Sequence, residues 1–252
     1  MIIDPDTKLV VSLVVGRRNA DTVVRVFTDF YGRTDGYLPE LICTDEYAVY
    51  RTVILDTYGV LRCELELTPE EDAQFSPGEF FFPQEITYAT VHKEKEGGRV
   101  REVTGRLVLG SQEQLEQTLG QSGRSGTVNT SFVERYHGTH RHFNARKKRK
   151  AYTFSKELSF HEACTWLVVT WYNVGWCVRT LRQKVQEHPP RYHYRTPAMA
   201  AGLADHVWTM AELLCHPLYP PKGPPHNSNP RTYADVLKRL RGAIIQQADD
   251  EP

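Results

Sequence analysis

Runs of apolar and polar positions along the chain read as strands, helices and connectors. Lys8 to Val15 (KLVVSLVV) is β-branched and nearly continuously apolar, the text of a strand buried on both faces. Gly16 ends it. Asp21 can cap a following helix in which Val23, Val24, Phe27, Phe30 and Tyr31 fit a 3.6-residue period. Leu41-Ile42-Cys43 reads as a second strand closed by Thr44-Asp45, with a short helix from Glu46 onward. Strand, helix and strand in this order predict a βαβ unit. Thr87 to His92 and Arg99 to Leu109 predict two short strands around a Glu-Gly-Gly turn, and QSGRSGT (121–127) predicts a flexible loop.

Past residue 129 the pattern turns helical. Ser131 and Glu134 have the spacing of a capping box, and a second helical segment from about Lys156 to Lys184 carries three of the four Trp. His216 to Pro230 holds six Pro in 15 residues and reads as a stiff connector. After it, Tyr233, Val236, Leu237, Leu240, Ala243 and Ile244 form one apolar stripe, as in an amphipathic helix. The expected organisation is therefore an α/β core beginning in 1–62, an insertion or irregular subdomain over 63–128, and helices over 129–216. A Pro-rich connector (217–230) and a tail helix (231–252) follow. No internal repeat is visible.

Composition changes this picture in one respect. The 252 residues are 40% hydrophobic and 25% charged, ordinary for a globular chain, and 31 basic residues balance 31 acidic ones. Net charge zero points to no nucleic-acid partner, but the charges are segregated. Residues 64–102 hold ten acidic residues against four basic ones, whereas Arg135 to Lys156 holds eight basic residues and no acid. The five Cys form no C-x-x-C or zinc-type spacing, and their odd number argues against a disulfide framework. The start MIIDPDTK lacks the features of a signal peptide, and the longest apolar stretch, Ala163 to Val178, is too short to span a bilayer. A cytoplasmic location with no membrane partner is the expectation.

The basic segment carries candidate chemistry. At 100° per residue Phe132, Tyr136 and Phe143 share one side of a helix, while Glu134, Arg141 and Lys148 line up on another. Such a helix can pack its aromatic face and turn cations toward a phosphate backbone, with Arg giving bidentate contacts. Gly138 is its weak point. A solvated charged face is the bland alternative. A carboxylate in a phosphate-binding row is repelled by DNA unless a metal cation sits between them. Glu134 and Asp45, at the end of its strand, are oxygen donors of the kind that Mg²⁺ takes alongside waters and phosphate oxygens. Each also has a plain reading, Asp45 as a turn or cap residue and Glu134 as the partner of Ser131 in a capping box. His137, His140 and His142 lack zinc spacing and read as phosphate-facing or exposed. No P-loop, G-x-G-x-x-G or G-x-S-x-G motif occurs.

NTSFVERYHGTHRHFNARKKRKAYTFSK (129–156) resembles the region around the third acid of bacterial insertion-sequence transposases of the IS-one type. DPDTKLVVSLVVGRR (4–18) is similar to their second and third strands, and LICTDEYAVY (41–50) to the segment carrying their second acid. YN (172–173) and TPAMAAGLADHVWTMAELL (196–214) are similar to their C-terminal part. The resemblance implies an RNase H-like (integrase-like) mixed sheet flanked by helices, with a DDE triad, Mg²⁺ or Mn²⁺ as cofactor, and DNA (transposon ends and target) as partner. It also implies action as a homo-oligomer. Carried over, Asp45 is the second acid and Glu134 the third. Arg135, Arg141 and Arg149 match DNA-contacting Arg positions, and Arg146, Lys148 and Lys150 extend the basic run.

The departures are specific. The family's first Asp stands on a strand upstream of the segment matched by 1–15, so this chain is expected to lack that strand and to be impaired alone. Asp4 and Asp6 lie in a D-P-D-T turn, an unfavourable place for a metal ligand. His137 stands where the family has Asn. The alternative expectation is a non-catalytic DNA-binding remnant or regulator that uses the basic segment alone.

Overall fold

The computed structural model describes residues 1–61, 80–81, 86–123, 125–148, 150 and 152–216. The chain is mixed α/β and divides into two compact units. One comprises Met1–Val15 and Ser131–Pro225, the other Gly16–Thr130 and His226–Pro252. The connector and tail helix expected after residue 216, and most of the segment 62–85, lie outside the described residues.

The first unit begins with a short hairpin, β1 (Ile2–Ile3) and β2 (Val10–Ser12), paired antiparallel. The strand expected over Lys8–Val15 is therefore only three residues long. The Asp4 carboxylate accepts hydrogen bonds from the Asp6 and Thr7 backbone N–H groups and from the Thr7 hydroxyl, which closes a turn. Lys8 then takes φ +62°, left-handed rather than extended. Beyond the strand, α4 (Ser131–Phe143) and α5 (Leu158–Val174) supply most of the packing, and their numbers follow three helices of the second unit. Val10, Leu13, Tyr136, Val169 and Tyr172 form the buried cluster, with the Tyr136 and Tyr172 rings edge-on at 4.9 Å. The Asn173 side chain clasps β2 from α5: its Oδ1 accepts from Val10 N–H at 3.0 Å and its Nδ2 donates to Val10 C=O at 2.9 Å.

Two helical expectations are corrected in this unit. The helix after Ser131 stops at Phe143, because the Asn144 side chain accepts from Arg146 N–H and starts a 3₁₀ turn over Ala145–Lys147. Lys148 consequently does not lie on α4 in line with Glu134 and Arg141. The segment expected to be helical to Lys184 ends at Val174. Gly175 lies so close to the Trp171 ring that a Cβ would sit 2.4 Å from it, and its N–H bonds Trp171 C=O. A hairpin follows, β8 (Gln183–Gln186) with β9 (Arg191–His193), and then the short helices α6 (Pro197–Ala200) and α7 (Met210–Cys215).

The second unit holds α1 (Ala20–Arg33), whose N-cap is Asn19 rather than Asp21: the Asn19 side chain accepts from Thr22 N–H at 3.1 Å. Val23, Val24, Val26, Phe27 and Phe30 are its buried face, and it packs against α2 (Val49–Tyr58). The sheet joins β3 (Leu41–Asp45) in parallel to β6 (Thr87–Glu96), which pairs antiparallel with β7 (Arg99–Leu109). Two residues each of β4 (Val60–Leu61) and β5 (Phe80–Phe81) form a separate ladder. The parallel partner of β3 is thus β6; β2 belongs to the other unit, so the βαβ unit expected from residues 8–43 is not formed by those strands. The Glu-Gly-Gly hairpin is present. Gly97 (φ +57°) and Gly98 (φ +80°) supply the two left-handed residues of a tight turn that matches strand twist. The helix α3 (Gln112–Gln121) follows with a Ser111–Gln114 capping box. Among the described residues no helix is long and apolar enough to cross a membrane.

Candidate functional site

Asp45 is the last residue of β3 and pairs with Val91, five residues before β6 ends. Leu41, Ile42 and Cys43 before it are half-buried and pair with Thr87, Tyr88 and Ala89, which are buried. Burial pushes the Cys43 thiol up to about 11, so it is inert as a nucleophile. The Thr44 hydroxyl and the Tyr88 hydroxyl lie 2.8 Å apart, tying β3 to β6 beside the carboxylate. Asp45 itself is exposed. Its Oδ2 accepts from the Arg18 guanidinium at 2.8 Å, and Arg18 lies over the Tyr47 ring at 4.8 Å. It does not cap α2, whose N-cap Ala48 has no side-chain bond; its Oδ1 meets only Tyr47 N–H, at 3.4 Å.

Neighbouring Glu46 is a second carboxylate that sequence reasoning passed over. Its Oε2 is 2.7 Å from His92 Nδ1 on β6, and its Oε1 is 3.6 Å from the Arg106 guanidinium on β7. Asp45 and Glu46 therefore end β3 with two carboxylates met by Arg18, His92 and Arg106. Arg18 lies within the quoted segment 4–18 and Glu46 beside Asp45, but nothing in the local text announces that these side chains meet.

Glu134 belongs to the other unit. It lies exposed in the first turn of α4, where the helix dipole favours a carboxylate. The aromatic side of α4 is as expected. Tyr136 is buried, Phe132 lies 3.6 Å beneath the Lys8 ammonium, and Phe143 packs edge-on against Trp176 at 4.8 Å. Arg135 and Arg141 are exposed on α4; Arg146, Lys148 and Lys150 are exposed beyond it. Arg149 lies outside the described residues.

His140 departs from expectation. It is buried, with Nδ1 3.1 Å from the Tyr136 hydroxyl, and does not face a phosphate. Burial first, then the nearby Lys147, His137 and His161 charges, lower it to about 4, so it is neutral at pH 7. In the segment 196–214, His206 sits between Asp205 (2.6 Å) and Glu212 (3.1 Å), and Glu212 also closes a capping box with Thr209 at the start of α7. Both carboxylates raise His206 above its ordinary value.

The fit of these residues to divalent cations rests on their chemistry. Asp45 and Glu134 are exposed hard oxygen donors, the class that Mg²⁺ and Mn²⁺ take. The exposed Arg18–Asp45 pair is worth roughly 0–1 kcal/mol, so breaking it costs little. Among the described residues no three His, Cys, Asp or Glu side chains are gathered as a metal site. No protein-family model matches the chain, and neither a curated protein nor a solved structure does.

Proposed function

We propose that the chain belongs to the RNase H-like catalytic domain of an insertion-sequence DDE transposase, with DNA as its partner. The observation that carries this reading is the placement of two exposed carboxylates. Asp45 ends a strand paired in parallel to β6, and Glu134 opens the helix whose outward residues begin the basic run. The four sequence segments that resemble this family supply the identity of the reaction.

On this reading Asp45 is the second acid and Glu134 the third, each a carboxylate of the kind that takes Mg²⁺ or Mn²⁺. When bound, such ions activate water or a 3′-hydroxyl for in-line attack on a phosphodiester. Arg135, Arg141, Arg146, Lys148, Arg149 and Lys150 bind and orient transposon-end and target DNA through its phosphates. Arg18 pairs with Asp45 at 2.8 Å on the same exposed surface. The first acid has no assigned residue: the Asp4 carboxylate is engaged in the hairpin turn. On this reading the protein acts as a homo-oligomer in the cytoplasm.

The test is a supercoiled-plasmid assay in Mn²⁺ with transposon ends. The chain alone should bind DNA but transfer strands weakly. The weak cleavage that it gives should be abolished by Asp45→Ala and by Glu134→Ala. Cleavage undiminished by either substitution, or no DNA binding at all, overturns the reading. A second reading, a non-catalytic DNA-binding regulator, is favoured by the Arg18–Asp45 ion pair, which already neutralises one acid. It predicts DNA binding that survives Glu134→Ala and no cleavage.

A further inference from the structure

Between α4 and α5 the chain displays a pattern that phosphate binding alone does not use. Lys148, Lys150, Tyr152, Phe154 and Lys156 occupy alternate positions and all are exposed. Tyr152 is fully exposed and Phe154 is 63% exposed. Two of the intervening residues, Thr153 and Ser155, are tied back. The Thr153 hydroxyl donates to Ala145 C=O at 3.0 Å, and the Arg146 guanidinium donates to Ser155 Oγ at 3.5 Å. The 3₁₀ turn over Ala145–Lys147 therefore anchors the segment from behind and turns the two rings outward among cations. Large aromatic side chains left in water are costly to keep exposed, and the sequence from Arg135 to Lys156 around the pair holds no acidic residue.

Two outward rings set among Lys and Arg match the surface that binds unpaired nucleic acid. Cations track the backbone phosphates, and each ring offers a π-face to one base whatever its identity. A duplex keeps its bases stacked on one another, so it can use the cations but not the rings. We infer that Tyr152 and Phe154 form a stacking platform for unpaired bases of single-stranded DNA, with Arg146, Lys148, Lys150 and Lys156 holding the adjoining phosphates. This deepens the DNA-binding part of the proposed function: the loop takes the frayed or cut end of a strand rather than the intact helix.

Fluorescence anisotropy with the full chain tests this, comparing a labelled oligothymidylate with a labelled duplex of the same length. Tyr152→Ala with Phe154→Ala should lower oligothymidylate affinity by about 5- to 150-fold per base stacked and leave duplex affinity unchanged. Tyr152→Trp with Phe154→Trp should retain single-strand binding. Both side chains are exposed, so the melting temperature of each variant should match the parent. Equal losses on both probes, or no loss on the oligothymidylate, overturn the platform while leaving duplex binding to stand. A parent chain that binds neither probe overturns the DNA reading itself. If sedimentation shows a dimer that the double Ala variant dissociates with unchanged DNA affinities, the rings instead join two copies and the inference fails.

Discussion

His140 shows what a single side chain contributes and why its role is hidden in the text. In sequence it is one of three His in a basic run and reads as a solvent-facing phosphate contact. In the fold it is the i+4 neighbour of Tyr136 on the inner side of α4, so it shares the buried face that the aromatic spacing marks. Its folded value is lowered to about 4 from an ordinary 6.5, so between those values the unfolded chain binds the proton and the folded chain does not. Stability from this group is complete above pH 6.5 and is lost as pH falls toward 4, by up to about 3 kcal/mol. Thermal melts of the parent from pH 7.5 to 4.5 should show this decline. His140→Gln should make it shallower, though His161, also lowered by burial and by Lys147, keeps part of the slope. An equal slope in parent and variant would assign the acid sensitivity elsewhere.

Elements differ in how much of them the sequence discloses. The helix α1 and the β6–β7 hairpin were readable because their signals are local, a 3.6-residue apolar period in one and two consecutive Gly in the other. The parallel pairing of β3 with β6 joins residues over 40 positions apart, and no local pattern encodes it. The break in α4 depended on a side chain competing for backbone N–H at Asn144, a choice that helical periodicity does not register. Gly138 was expected to weaken or kink α4, yet the helix runs through it, and a Cβ there meets nothing within 4 Å. Gly138→Ala should therefore raise stability by about 0.5–1 kcal/mol, read as a higher denaturant midpoint with unchanged slope. The clasp of α5 on β2 makes the opposite prediction. Asn173→Ala leaves the N–H and C=O of buried Val10 without their partners and should cost about 2–3 kcal/mol. A loss well below 1 kcal/mol would mean that water replaces the amide there. Of the candidate site, Asp45 at the end of its strand and Glu134 at the start of its helix were legible as positions. The Arg18, His92 and Arg106 side chains that meet the β3 carboxylates were not, because those contacts are made by the tertiary fold.

At the scale of the whole molecule, zero net charge conceals a division of charge along the chain. The acid-rich stretch 64–102 falls in one unit, and the acid-free basic run starting at Arg135 falls in the other. A phosphate backbone responds to local charge, since each neutralised phosphate releases counterions and the whole-chain average does not enter. Duplex affinity should therefore fall steeply with salt despite the neutral total. Replacing Arg146, Lys148 and Lys150 with Gln should flatten the plot of log affinity against log salt by about 0.9 for each residue that contacts a phosphate. All three are exposed, so the triple variant should melt close to the parent, with any small loss falling on the Arg146–Ser155 bond at 3.5 Å. Arg101→Gln serves as the control. It is exposed on β7 and paired with Glu96 at 3.0 Å, outside the basic run, so the slope should not change. If Arg101→Gln flattens the slope as much as a substitution in the run does, binding follows total charge. In that case the 135–156 segment is a solvated surface and the DNA-binding assignment of its cations fails.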